Sequence, residues 1–303
     1  MGLNTHGARF LRYARSIGVD FAQTATIGRQ GLYVAPAELA RLLSAFGDDL
    51  GEGLAQAMCA DGFAEGYLQH LGATEVHSFD YSPFEGATHT FDMNLPAPPG
   101  FAERYSVVLD GGALEHIFNF PVAIKNCMEM VRVGGRYLAI TPANNFFGHG
   151  FYQFSPELYF SVLSPENGFE LERMIAFEDV EGAPWYTVLS PREARGRVAL
   201  TNSRPVHLLV IARRTASKPI FERPPQQSDY LARWEDAPAD DAQAGASVER
   251  PLPIRLAKAA LPSPVRRALR WAFERVPRPR PTFDPRFFRS MAPATIAGGH
   301  ERG

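Results

Sequence analysis

Four polar residues stand directly behind short runs that read as β-strands or the loops that leave them: Asp80 after residues 75–79 (EVHSF), Asp92 a little further on, Asp110 after 105–109 (YSVVL), and Asn144 after 136–141 (RYLAIT). In an open parallel sheet, ligands settle in the crevice beyond the carboxyl ends of the strands, so these positions are the first candidates for chemistry. A carboxylate at the end of a second strand can accept both hydroxyl hydrogen bonds of a ribose, which suits Asp80 to a nucleotide-type ligand. The plainer use of such an Asp is to cap a helix or hold a turn. Asp110 is followed by Gly111 and Gly112. Two glycines let a ligand approach the backbone, and a tight turn needs them equally.

A second concentration lies at 144–155 (NNFFGHGFYQFS), with two amides, a His between glycines, four Phe and a Tyr in twelve residues. Such a loop can wall a pocket, with His149 or Tyr152 as general base and the aromatic rings excluding water. Alternatively it is an apolar cover over the sheet edge, with Ser155 capping a helix over 156–163. His116, beside Glu115, reads either as a base or as a polar surface step. No pairing of His, Cys, Asp and Glu has metal-ligand spacing, and neither a Gly-x-Ser-x-Gly elbow nor a Walker-type loop occurs.

The elements that must position these groups follow from apolar periodicity. Residues 23–28 (QTATIG) form a β-prone run ending in Gly, and Leu39, Leu42, Leu43 and Phe46 then fall at helical spacing behind Pro36. A short helix over 63–71 is closed by Gly72 and leads into the strand that delivers Asp80. The almost continuous apolar run at 105–109 suits a strand buried on both faces of a parallel sheet. Phe120, Ile124, Cys127, Met128 and Val131 mark a helix closed by Gly134 and Gly135, with a strand at 136–141 after it. Residues 169–177 and 206–212 supply the last two strands. The alternation predicts an α/β, doubly wound, mostly parallel Rossmann-like sheet of seven strands with helices on both faces.

The stretch from Tyr105 to Asn144 resembles the class I S-adenosylmethionine (SAM)-dependent methyltransferase family. Three pieces carry the resemblance: a buried strand ending in an acid, the Leu114-Glu115-His116 step, and the Val133-Gly134-Gly135 turn before a strand ending Thr141-Pro142. It implies that Glu115 and His116 border a cofactor pocket, that Asp80 is the ribose-binding acid with Tyr81 beside it, that Asp92 lies near the adenine, and that Asp110, Gly111 and Gly112 line the cofactor. The family's first glycine loop aligns in two ways. One places it on 58–62 (MCADG); the other, which we favour because 23–27 is better strand material than 51–56, places it on Gly28-Arg29-Gln30-Gly31 and makes 34–61 an insertion. The implied cofactor is SAM. The implied activity is methyl transfer to a small-molecule or glycan-type acceptor, the alternative being an inactive methyltransferase-like binding or scaffolding module. A nucleotide-dependent oxidoreductase gives the Leu-Glu-His step no role.

The chain has 303 residues and a formal net charge of -2, so nothing draws the whole molecule to nucleic acid. Two cysteines fit a reducing compartment, and no signal peptide or run of about 18 apolar residues is present, so the expected location is cytoplasmic. The expected organisation is an N-terminal helical segment (1–22), the α/β domain (23–214), a low-complexity linker (215–252) and a basic tail (253–303). Residues 254–303 carry 11 Arg or Lys against 3 Asp or Glu. Within them Leu261, Val265, Leu269, Phe273 and Val276 share one face of a helix starting at Ser263-Pro264, with Arg266, Arg267 and Arg270 off it and Trp271 near the boundary. Such a helix can make peripheral contact with the inner membrane, dock on the body or bind a partner.

Overall fold

The computed structural model describes residues 2–194, 196–228, 230, 282–292 and 296. In chain order the elements are β1 (Gly2–Leu3), α1 (Thr5–Ser16), β2 (Gln23–Ile27), β3 (Gly31–Leu32), α2 (Pro36–Ala45), α3 (Gly51–Met58), α4 (Glu65–His70), β4 (Glu75–Asp80), β5 (His89–Thr90) and β6 (Tyr105–Asp110). They continue with α5 (Phe120–Met130), β7 (Val131–Asn144), α6 (Pro156–Val162), β8 (Phe169–Glu178), β9 (Tyr186–Val188), β10 (Val206–Arg214) and β11 (Phe288–Ser290).

The main sheet runs β11-β9-β8-β10-β7-β6-β2-β4-β5. β5, β4, β2, β6 and β7 are parallel, and the pairings from β7 through β10, β8 and β9 to β11 are antiparallel. The Rossmann-like α/β sheet of the expectation is therefore present, with two corrections among the described residues. It has nine strands rather than seven, because the short β9 and β11 extend one edge. Its antiparallel half is as long in pairings as its parallel half.

Two apolar clusters sandwich the sheet, as period-2 alternation requires. Val108 and Val210 face α5 and α6, whereas Val107, Leu109, Leu209 and Ile211 face α1, α2 and α4. All six residues of β6 are buried, the signature of a strand covered on both faces. Helix α1 starts at Asn4, whose side chain accepts the Gly7 N–H at 3.0 Å, and it buries Phe10, Leu11 and Tyr13. The buried Tyr67 hydroxyl ties α4 to α1 by donating to the Ala8 carbonyl at 2.8 Å. The N-terminal segment is thus packed on the α/β body, and β1 pairs with β3 beside the turn after β2.

Residues 58–62 do not follow a strand: they lie at the end of α3 and in the turn after it. Gln23–Ile27 is the central parallel strand, so Gly28 to Gly31 is the first strand's loop and α2 and α3 are the insertion. The Gly pair also differs from expectation. α5 stops at Met130 and β7 begins at once, with the register slipping where Tyr105 faces Val131 and Val107 faces Arg136. Gly134 has φ 83, and a Cβ on Gly135 would lie 2.9 Å from the Ser106 carbonyl oxygen, so the pair serves a bulge between two close backbones.

After β10 the chain stays on the body: Ile220 is buried and the Phe221 N–H donates to Asn167 Oδ1 at 2.9 Å. Further on, Phe283 stacks on Tyr186 at 4.0 Å between centroids. The basic helix expected over 261–276 lies outside the described residues. Among the described residues no helix is long and apolar enough to cross a membrane.

Candidate functional site

The strand order reverses at β2: β4 and β5 lie to one side of it, β6 and β7 to the other. That switch point leaves a crevice at the carboxyl ends of the parallel strands. Two adjoining hollows occupy it, and His116 lines both.

The first hollow, about 220 Å³, lies over the ends of β2 and β4 and is lined by Gly28, Asp80, Tyr81, Asp92 and Asn94, with Phe79, Phe91, Met93 and Ile117 as its apolar walls. Gly28 has φ 72, which bends the chain away from β2, and its N–H donates to the Phe79 carbonyl at 2.7 Å. Asp80 accepts the Ser82 N–H at 3.2 Å, and Tyr81 is 75% exposed at the rim, a free ring for stacking. Asp92 Oδ1 accepts both the Asn94 N–H at 2.9 Å and its side-chain amide at 2.7 Å. This wall is tied to α5. Asn126, buried in the helix, accepts the Ala97 N–H and donates to the Leu95 carbonyl, while Asn119 donates its N–H to Asn94 Oδ1 at 2.8 Å. Asn126 was not singled out in the sequence; its signal is an amide between Ile124 and Cys127 on an otherwise apolar face.

The second hollow, about 380 Å³, brings together Gly111, Gly112, Glu115, His116 and His149. Asn4, Tyr33, Asp179 and His207 complete it from α1, the β3 turn, the end of β8 and the start of β10. Sequence spacing gives no sign of these last four, because four separate chain segments meet here. The loop carrying His149 is fixed by backbone bonds. The Glu115 carbonyl accepts the N–H groups of Phe151 at 2.7 Å and Tyr152 at 3.3 Å, and the Phe154 N–H donates to the Pro142 carbonyl at 2.9 Å. Gly150 has φ 66, and a Cβ there would meet the Glu115 carbonyl oxygen at 2.7 Å, so only Gly fits that contact. The loop is therefore a pocket wall as well as an apolar cover. Phe118, Phe147 and Phe151 stand exposed.

Four candidates face neither hollow. Asp110 is fully buried: its Oδ1 accepts the N–H of Ala113 at 2.8 Å and of Leu114 at 3.2 Å, and its Oδ2 faces the Tyr137 hydroxyl at 3.4 Å. It holds the turn, and burial pushes its pKa up against those bonds. Arg29 is drawn sideways to Glu65 at 2.6 Å and to the Glu85 carbonyl at 2.9 Å. Gln30 is buried with its amide donating to the Ile27 carbonyl at 2.7 Å, and it fills the space that a Cβ on Gly111 would need. Tyr152 gives its hydroxyl to the Phe118 carbonyl at 2.6 Å.

Three groups that line the second hollow are shifted by burial. Glu115 is buried and its pKa is raised by desolvation and by the charge of Asp110. His116 is lowered by burial and by the neighbouring His149. His207, wedged between Phe146 and Phe177 rings, is pushed down to about 4 by burial, against the pull of Asp179. Glu115, His116 and His149 also place one ligand atom each within 4.8 Å of the others. Spacing along the chain suggested no such group; the fold makes it by bringing residue 149 back over 115.

No protein-family model and no curated protein matches the chain. Solved structures similar to it include several methyltransferases and a branched-chain polyamine synthase from Thermus thermophilus. The N-methyltransferase NodS from Bradyrhizobium japonicum, solved with S-adenosyl-L-homocysteine, is 13% identical over 69% of this chain and 85% of its own, with a TM-score of 0.38. The 1,6-didemethyltoxoflavin-N1-methyltransferase of Burkholderia thailandensis is 12% identical over 70% and 79%, at 0.38. A TehB-like SAM-dependent methyltransferase from Corynebacterium glutamicum is 13% identical over 68% and 86%, at 0.36. The α/β fold of this chain stands on its own strand order rather than on these similarities.

Proposed function

We propose that the protein transfers the methyl group of SAM to a small-molecule acceptor, with the cofactor's adenosine in the first hollow and the acceptor in the second. The observation that carries the reading is Asp80 at the end of β4, opening onto an unfilled hollow at the switch point beside the Gly28 turn. The Asp80 carboxylate takes the ribose hydroxyls, and Asp92 and Asn94 take the edge of the adenine between Phe91, Met93 and Ile117. Gly111 and Gly112, which line the second hollow, would border the cofactor's sulfonium end. When bound, SAM would supply an electrophilic methyl group for in-line displacement by the acceptor's lone pair, with the neutral thioether as leaving group. Positioning supplies most of the rate. A base is needed where the acceptor is a hydroxyl or a protonated amine, and His149 is the titratable group best placed to take that proton. Asn4, Asp179 and His207 give the second hollow the polar lining that a hydroxylated, glycan-type acceptor requires.

Isothermal titration with SAM tests the reading. Micromolar binding, weakened by Asp80→Ala, is the expected result. A second reading, a binding module without catalysis, is favoured by the Gly28 loop, whose first N–H is already spent on Phe79 and whose Arg29 and Gln30 side chains turn away. No detectable heat at millimolar SAM would favour that reading and remove methyl transfer.

A further inference from the structure

We propose that Glu115, His116 and His149 form a binding site for a divalent transition-metal cation in the wall of the second hollow. The ligand set is one carboxylate and two imidazoles, the donors that suit Zn²⁺ and its neighbours. Glu115 is the anchor. Its side chain is 2% exposed, its Oε2 has no hydrogen-bond partner, and it lines the hollow. A buried carboxylate oxygen left without a donor is costly, and a cation removes that cost. His149 Nε2 already lies 3.6 Å from Glu115 Oε1, and the rings of His116 and His149 stand edge to face with centroids 4.8 Å apart.

Ligands at about 2.0–2.2 Å from a tetrahedral ion lie about 3.4 Å from one another, so closure asks for a contraction of roughly 1 Å from the present spacing. Side-chain torsions must supply that movement, since the backbone around His149 is held to Glu115 and Phe146. His149 is 50% exposed and flanked by Gly148 and Gly150, while Glu115 is fixed in its turn. Three protein ligands leave further positions directed into the hollow, where Asp179 and His207 also face. Those positions fit an oxygen of a hydroxylated or carboxylated small molecule, whose hydroxyl the cation would acidify. The site shares His149 and the second hollow with the methyl-transfer reading, a bound cation taking the place of His149 as base, and its test is separate because the metal alone is the probe.

The test uses the full chain without an affinity tag, stripped with a chelator and titrated with Zn²⁺ by calorimetry and with Co²⁺ by visible absorption. One equivalent is expected to bind. Loss of a single outer-shell partner costs roughly 10–100-fold in metal affinity, so removing a ligand should weaken binding by at least tenfold. Glu115→Gln, which keeps the side-chain shape, and His149→Ala, on an exposed loop, should each do so with the circular dichroism spectrum unchanged. His77→Ala serves as a control: it removes the His77 and His89 pair beside Glu75, 4.9 Å apart on the other side of β4, and should leave the stoichiometric site intact. The proposal is overturned if wild-type protein takes up no stoichiometric metal, as a plain Glu115–His149 ion pair would give. It is overturned equally if both ligand variants bind as the wild type does, or if only His77→Ala abolishes binding.

Discussion

The two hollows share His116 but are built differently. The first is a product of neighbouring strand ends: Gly28, Asp80 and Asp92 reach it because β2, β4 and β5 are adjacent and parallel. The second is assembled from segments as far apart as Asn4 and His207, and its His149 comes from a loop clamped to Glu115 by backbone bonds. A site made by regular strand succession can be read from a chain; one made by long-range closure depends on the body that brings the segments together. It follows that damage to the body should disturb the second hollow before the first.

Arg214 offers the strongest way to break that comparison. The guanidinium is buried under the C-terminus of α5, donating to the Met128, Glu129 and Val131 carbonyls and pairing with Glu103 at 3.0 Å. Arg214→Met takes the guanidinium donors from these carbonyls, of which Glu129 keeps the Glu103 N–H at 2.8 Å, and should cost about 3 kcal/mol in denaturant unfolding. A loss below about 1 kcal/mol would mean that α5 is held otherwise. Next in size is Gly150→Ala, where both the φ of 66 and the close Glu115 carbonyl oppose a Cβ. About 2 kcal/mol of stability should go, and SAM binding should survive, because the loop walls only the second hollow.

These two cases show what was legible. The β2 turn, Asp80, the buried β6 and the α5 periodicity were readable because each is local: a strand, its terminal acid and a helix face lie within a few residues. Asp110 was readable as a strand-end acid but not as a turn-holder, since the choice depends on whether the following N–H groups fold back onto it. Arg29 and Gln30 were assigned to the cofactor by alignment alone, and their partners Glu65 and Ile27 draw them elsewhere. The cluster of Glu115, His116 and His149 was invisible because one of its members comes from a loop 33 residues further along the chain.

Smaller effects sharpen the contrast within the first hollow. Asn126→Leu removes the amide that holds the 95–97 backbone on α5, and should weaken SAM several-fold with Asp80 intact, as calorimetry would show. If SAM affinity is unchanged, the adenine does not lie against that wall. The last prediction is a pH dependence that belongs to the second hollow. His207 has a folded pKa of about 4, below the value of about 6.5 for a free histidine. Its contribution is therefore fully present above pH 6.5 and is lost as the pH falls from there through 4, on the order of 3 kcal/mol in all. Thermal unfolding of wild type and His207→Gln between pH 7 and 4 checks this, the variant giving the flatter curve; parallel curves would remove His207 from the account.

The central claim is that an adenosyl group occupies the crevice over β2 and β4. A crystal structure of the protein grown with S-adenosyl-L-homocysteine tests it most directly. Density is expected for the ribose hydroxyls against the Asp80 carboxylate and for the base beside Asp92 and Asn94. Density for the ligand elsewhere, or side chains closed into an unliganded crevice at saturating concentration, would contradict it.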